Sequence, residues 1–392
     1  IDATFSKEYN VDLKVVDPSV LLTATLAGRG PDVAINVDNG LPVNYALRGA
    51  TYDISVFDDF EEVQTRFRES AMRPYEFNDG YYALPNTQTF LMMFYRADIF
   101  EQQGWSVPNT WEDVIGLVPE LQIQNLQFYL PLNTIGATSV VNQIFASRLY
   151  QTGGEFYRTM VNDAGEEYIV SNFDSEEAMQ AFEFWSQFYS DFSFSLTISP
   201  TTFINRFRTG EMPIGIANYD TYNTLMVSAP EIRGKWNFAL LPGTEQADGS
   251  INRKGAASGT AVVMMKQTDV PEAAWEFMKW WTNEDTQISF NREIESIIGT
   301  AARHATANVE AFKRLPWTNE ELEVLLEQFQ YTVGVPEVAG GYYTGRNLEN
   351  AFRETVNNNY NPRETLEDYI LMIDREIIRK RKEFGLPVAT GE

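Results

Sequence analysis

The sequence predicts an α/β protein of two lobes, each a mixed sheet flanked by helices, joined by strands that cross between them. Three observations carry this. Helix-like and strand-like segments alternate along the whole chain, the layout of a sheet covered by helices. The 392 residues, 44% of them hydrophobic, suffice for two cores. No Pro-, Gly- or Ser-rich linker separates the halves. Lobes without a linker are expected to share strands.

The elements follow in order. Phe5–Tyr9 reads as the end of a helix, and Val11, Leu13 and Val15 alternate as in a half-buried strand. Ser19–Ala27 reads as a helix stopped by Gly28. Val33–Val37 is a short apolar run, as in a buried parallel strand. Asp58–Met72 is helical, ending before Pro74, and Leu84–Tyr95 is extended. Thr110 with Asp113 forms a capping box for the next helix. Ser139–Gln151 is a helix closed by Gly153 and Gly154, and Asn162–Gly165 is a hairpin turn. Asp174–Tyr189 is an aromatic-rich amphipathic helix with Asp174 as N-cap and Glu177 at N3. Phe203–Arg208 is helical up to Gly210, and Met212–Ala217 and Ala261–Met265 are strands. Pro271–Glu284 is a helix with Pro at its first position. Asn347–Val356 and Pro362–Phe384 close the chain as helices. The basic run Arg379–Lys382 suits the last turn of the second, where the helix dipole is negative.

Composition then excludes functions. Lys and Arg total 30 against 55 Asp and Glu, a formal charge of −25. Such a surface repels nucleic acid and anionic lipid and favours neutral or cationic ligands. There is no Cys and a single His, His304, so thiolate chemistry is excluded and a transition-metal centre would be nearly all carboxylate, which suits hard cations only. No cofactor or metal is expected. No stretch approaches the roughly 20 apolar residues of a membrane span. Aromatic residues make up 14% of the chain. Their bland reading is a large aromatic core; the sharper one is stacking platforms for the apolar faces of sugar rings.

Catalytic motifs fail one by one. The stretch LAGRGPDVAINVDNG, from Leu26 to Gly40, has two close glycines but no third, and its turn follows a helix and precedes a strand. A dinucleotide turn needs the reverse order. No Gly-x-Ser-x-Gly elbow accompanies His304. A pair of glycosidase carboxylates is left open by 55 acidic residues, but nothing marks one pair out. What remains is four polar segments, each just after or within a strand: Asn36–Asn39, Asn86–Thr89, Asn218–Tyr222 and Gly255–Ser258. Ligands of α/β sheets sit beyond the carboxyl ends of strands, although Asn, Asp and Gly also favour ordinary turns.

Five stretches in sequence order resemble the carbohydrate-type, maltose-binding-protein-like family of extracellular solute-binding proteins that serve bacterial ABC importers. They are LAGRGPDVAINVDNG, GYYALPNTQTFLMMFYRADIFEQQGWSVPNTWEDV, FRTGEMPIGIANYD, GAASGTAVVMMKQTDVPEAAWEFMKWWTNEDTQ and NPRETLEDYILMIDREIIRKRKEFG. The resemblance implies a type II periplasmic-binding-protein-like fold that closes on an oligosaccharide and delivers it to a permease. It implies no enzyme activity, no nucleic acid partner and a monomer. It places lobe 1 at residues 1–88 plus 260–302 and lobe 2 at 89–259 plus 303–392, with crossings near Thr87–Leu91, Ser258–Ala261 and Ala301–His304. It assigns ligand contacts to Asn36, Asp38, Asn39, Asn86, Gln88, Thr89, Tyr219, Asp220, Tyr222, Ser258, Tyr342 and Tyr343, with the tyrosines as stacking rings. Family members begin with a strand and a ligand loop before the first helix. This chain opens in that helix, so it is expected to be a mature or trimmed form without the first strand. The implied location is the outer face of a Gram-positive cell, as an anchored lipoprotein, or a periplasm. A secreted carbohydrate-active hydrolase and a sugar-sensing subunit of a receptor kinase are the alternatives.

Overall fold

The computed structural model describes residues 5, 11–15, 17–132 and 143–389. Among these, two four-stranded sheets organise the chain. Their strands are β1 (Val33–Asp38), β2 (Leu84–Thr89), β3 (Leu91–Tyr95), β4 (Phe128–Tyr129), β5 (Ile214–Asn218), β6 (Asn237–Ala239), β7 (Gly255–Met264) and β8 (Thr332–Gly334). In the first sheet β7 pairs antiparallel with β1 and β2, and its first residues pair parallel with β8. The second sheet runs β6-β3-β5-β4, with only β4 and β5 parallel.

Alternation along the strands feeds a core on each face of each sheet. In β7, Val262 and Met264 join Trp275, Met278 and Trp281 on one side, while Ala261 and Val263 join Leu21 and Tyr45 on the other. In β3, Leu91 and Met93 face one large core, and Met92 and Phe94 face a second. The rings fill these cores. Trp185 stacks on Phe352 at 3.9 Å, and Tyr129 on Phe203 at 4.2 Å. The bland reading of the aromatic content therefore holds for these rings.

The helices that cover the sheets begin where their caps dictate. They include α1 (Pro18–Leu26), α2 (Trp111–Ile123), α3 (Gln143–Gln151), α4 (Glu176–Ser190), α5 (Pro200–Thr209), α6 (Thr221–Ser228), α7 (Pro271–Thr282), α8 (Glu284–Ile298), α9 (Tyr342–Asn358) and α10 (Pro362–Glu383). Thr110 and Asp113 make the expected capping box of α2. Gly28 and Gly210 take positive φ just past α1 and α5, as their stopping role requires. Asn162–Gly165 joins an antiparallel hairpin, Tyr157–Val161 with Glu167–Ser171.

Several expectations are corrected. Residues 11–15 form no strand, and Leu13 and Val15 are exposed. β1 is antiparallel and only partly buried, because its neighbour is the returning β7. The helix expected over Asp58–Met72 is two short ones, Phe60–Gln64 and Glu69–Met72. Between them the Arg66 carbonyl accepts from Val309 N and its side chain donates to the Lys279 carbonyl, so tertiary bonds replace helical ones. Ser175, not Asp174, caps α4, because Asp174 is paired with Arg158. α7 ends at Thr282 because Asn283 caps α8. β7 starts six residues before the apolar run at Ala261, and α9 starts at Tyr342 instead of Asn347. Of the helix expected over Ser139–Gln151, Gln143–Gln151 is helical and the rest lies outside the described residues. Most of the Phe5–Tyr9 segment lies outside them too.

One buried side chain sets the shape of the first sheet. The β1 register against β7 slips between Ala34 and Val37, and the β2 register slips at Asn86. Each slip is a bulge. Asn36, in the first, has a φ of 59°. The Asn86 amide donates to Asn36 Oδ1 at 2.6 Å and to Thr260 Oγ1 at 3.2 Å, and its carbonyl accepts from Trp281 Nε1 at 2.8 Å. A third segment runs beside β2: Gln88 N donates to the Ala305 carbonyl and Ala307 N to the Asn86 carbonyl.

His304 lies on that segment, edge-on to Phe290 at 5.2 Å, with Nε2 unpartnered among the described residues. Burial pushes its pKa down to about 4. It is a half-buried residue packed against Phe290.

Two outcomes follow. Asn86→Ala strands the Trp281 indole N–H and is expected to cost about 1–3 kcal/mol in urea unfolding; an unchanged midpoint rejects the bridging role. A histidine with its folded pKa depressed stabilises fully above its unfolded value of about 6.5 and loses that share as pH falls towards 4. His304→Leu should therefore reduce the loss of unfolding free energy between about pH 7 and pH 4 by about 3 kcal/mol. Denaturation at the two pH values checks it.

Candidate functional site

A cavity of about 570 Å³ lies between the two sheets. Its volume falls within the roughly 300–1,000 Å³ of small-molecule sites. The carboxyl end of β1 brings Asp38 and Asn39, and β2 brings Thr87 and Thr89. β7 adds Ala256 through Thr260. From the other side come Asn218 at the end of β5, Gln143 at the start of α3, and Leu196 through Pro200 ahead of and entering α5. Val335 and Glu337, just past β8, complete the described wall together with Leu132.

Strand periodicity explains the polar floor. Thr87 and Thr89 share one face of β2, and Ser258 and Thr260 share one face of β7. The register sets Thr89 opposite Ser258 and Thr87 opposite Thr260. Their hydroxyls meet at 3.0 Å and 2.8 Å. Gly259 lies between the two β7 hydroxyl residues, and a Cβ there would come within 2.0 Å of the Thr87 carbonyl oxygen. The Gln143 amide spans the elements, donating at 3.3–3.4 Å to Asn218 Oδ1, the Ala256 carbonyl and Ser258 Oγ.

Two carboxylates share the cavity. Asp38 Oδ1 accepts from Gly40 N at 3.1 Å, a turn that holds its side chain at the strand end. Burial, helped by the charge of Asp38, holds the Glu337 carboxyl well above the usual carboxylate range. Burial first, then both acids, also push the Tyr75 phenol up. No Lys, Arg, His or aromatic side chain lines the cavity among the described residues.

Of the residues expected from sequence, Asp38, Asn39, Thr89 and Ser258 meet at this cavity. The others lie off its wall. Asn36 and Asn86 bond each other, and Gln88 is buried with its amide on Ser70 Oγ. Tyr219 is 2% exposed, 4.7 Å from Phe90 in the second core, so it offers no platform. Asp220 is the N-cap of α6, its carboxyl raised by burial. Tyr222 packs on Trp317 at 5.1 Å, and burial, with Glu321 beside it, pushes its phenol up to about 12. Tyr342 donates to Glu376 Oε1 at 2.7 Å, and Tyr343 stands 6.2 Å from its ring. None of these four tyrosine rings lines this cavity.

Sequence reasoning missed Gln143, Glu337 and the stretch Leu196–Pro200. Thr87 and Asn218 lay within segments already singled out. Glu337 follows a three-residue strand, too short to announce a strand end.

These observations define a two-lobed binding-protein fold with its cavity between the lobes. The chain belongs to the family of bacterial extracellular solute-binding proteins, whose pattern matches residues 1–316. Comparison with curated proteins gives no significant match. Among solved structures, the chain is similar to the sugar-binding protein MalE of Xanthomonas citri. The identity is 17%, the coverage 98% of this chain and 95% of that one, and the TM-score 0.78. It is also similar to an ABC transporter solute-binding protein of Thermotoga lettingae bound with α-D-tagatose: 17% identity, 96% and 94% coverage, TM-score 0.72. A third is the maltose-binding periplasmic protein MalE of Listeria monocytogenes in complex with maltose: 14% identity, 97% and 94% coverage, TM-score 0.71. At these identities the likeness is one of fold.

Gly259→Ala tests the close strand contact. The added methyl forces β2 and β7 apart and is expected to cost about 1–3 kcal/mol or more in unfolding free energy. A variant as stable as the parent would show that the strands have room to give.

Proposed function

We propose that this chain captures a saccharide in the cavity between its lobes, as the binding component of an ABC importer. The observation that carries the reading is the cavity wall. Threonine and serine hydroxyls, the Asn218 and Gln143 amides and two carboxylates converge on a space of small-molecule size. These groups match the donors and acceptors of sugar hydroxyls. Family membership and the sugar-binding proteins among those of similar fold support it.

In this reading residues 1–88 plus 260–302 and residues 89–259 plus 303–392 move as lobes, closing on a small oligosaccharide by bending where β2, β7 and the segment before Ala307 cross. Closure excludes water, so a hydroxyl out of place leaves buried polar groups unpaired, which gives specificity. A permease that accepts the closed form, a monomeric state and residence outside the cell as an anchored protein belong to the same proposal.

A thermal-shift screen of mono- and oligosaccharides, amino acids, peptides and cations tests it. A bound saccharide at 100 times its Kd stabilises by about 2.7 kcal/mol. Stabilisation by peptides or metal ions alone overturns the reading. Asn218→Ala is expected to weaken saccharide binding about tenfold, or ~1.4 kcal/mol. Tyr222→Phe leaves affinity unchanged, because that ring is off the cavity.

A further inference from the structure

The described wall of the cleft is acidic and carries no Lys, Arg or His side chain. Asp38 enters from the end of β1 and Glu337 from beyond β8, on separate elements. Arg73 pairs with Glu155 at 2.9 Å, and Arg48 donates to the Asn44 carbonyl; neither lines the cleft. Burial first, and then the charge of Asp38, raise the Glu337 carboxyl. Glu337 accepts no hydrogen bond from a described residue, and Asp38 accepts one from its own turn. Neither carboxylate is held in an ion pair among the described residues.

Ligand chemistry follows from this wall. With no ring lining the cavity among the described residues, stacking does not supply the affinity. Polar pairing has to. A neutral saccharide can donate hydroxyls to these two half-buried acids but leaves their charge unbalanced when the lobes close, and a buried charge is costly unless paired. An ammonium group supplies the missing charge and donates up to three charge-assisted hydrogen bonds. The net charge of −25 also draws cations towards the protein.

Resting on the saccharide reading above, we propose that the ligand is an amino sugar, its protonated amine held between Asp38 and Glu337. The two acids are then the specificity-determining residues, and the hydroxyls of β2 and β7 bind the remainder of the sugar.

Titration calorimetry on the whole chain tests this with three disaccharides of one linkage: the free diamine of β-1,4-linked glucosamine, its N-acetylated form and cellobiose. The free amine is expected to bind at least about 30-fold tighter than either neutral sugar. Asp38→Asn and Glu337→Gln each weaken the amine by about 30-fold and shift cellobiose by less than about threefold. Glu231→Gln, at an exposed acid paired with Arg208, changes neither. Melting curves of the empty variants confirm that they fold. Glu337→Asp, which keeps the charge and shortens its reach, serves where Glu337→Gln does not fold. Its expected affinity for the amine lies between those of the parent and Asp38→Asn. A neutral sugar binding as tightly as the amine overturns the proposal while the saccharide reading stands. Binding of a simple diamine such as putrescine, with no saccharide bound, overturns both.

Discussion

Asn86 is the node on which the first sheet depends. It is 1% exposed and uses both ends of its amide. It binds Asn36 in one bulge, Thr260 on the central strand and the Trp281 indole from α7. A bulge turns side chains by one position relative to the partner strand. Here β1 and β2 each carry one, on the two sides of β7. Beyond them the register places Asp38, Thr260 and Thr87 side by side across three strands. A buried amide without these partners would be a liability of several kcal/mol. Fully bonded, it fixes where the polar edge of the sheet begins. The cavity floor is therefore a consequence of a packing decision made one residue behind it.

The same logic separates the two uses of aromatic residues. Rings were expected both in the core and at the site. The described rings gather in the cores, and the described cavity wall has none. Tyr219 shows why. It directly follows the last residue of β5, a position suited to a ligand contact, yet Tyr219 N donates to the Phe90 carbonyl and the ring turns in beside Phe90 and Phe312. Asn218, one residue earlier, points the other way and lines the cavity. Strand alternation allows only one of two successive residues to face the ligand space.

Much of the fold was legible because it rests on local rules. The Thr110–Asp113 capping box, the glycine stops at Gly28 and Gly210 and the turn Asn162–Gly165 are local chemistry, and each stands where the sequence puts it. The failures were tertiary. β1 reads as a buried parallel strand only until β7 returns beside it, and the helix over Asp58–Met72 breaks because Arg66 bonds distant segments. On the cavity wall, Asp38, Asn39, Thr89 and Ser258 could be singled out because they follow or occupy recognisable strands. Gln143 and Glu337 come from the start of a helix and the end of a minimal strand, where no local pattern points to a shared space.

β7 joins these threads. Its first three residues pair with β8, and Ala256 packs in the large core beside α3; its last residues, paired with β1 and β2, are buried on both faces of the sheet. Between them, Ser258, Gly259 and Thr260 line the cavity, and the proposed crossing lies there. Gly259 permits the approach to Thr87, while the flanking hydroxyls bond across to β2. In the proposed closure, a ligand that bonds those hydroxyls touches the residues at which the strand bends. Binding and bending then draw on the same few hydrogen bonds. A ligand gains closure only through its differential affinity for the closed form, and contacts at the crossing itself are well placed to supply that difference.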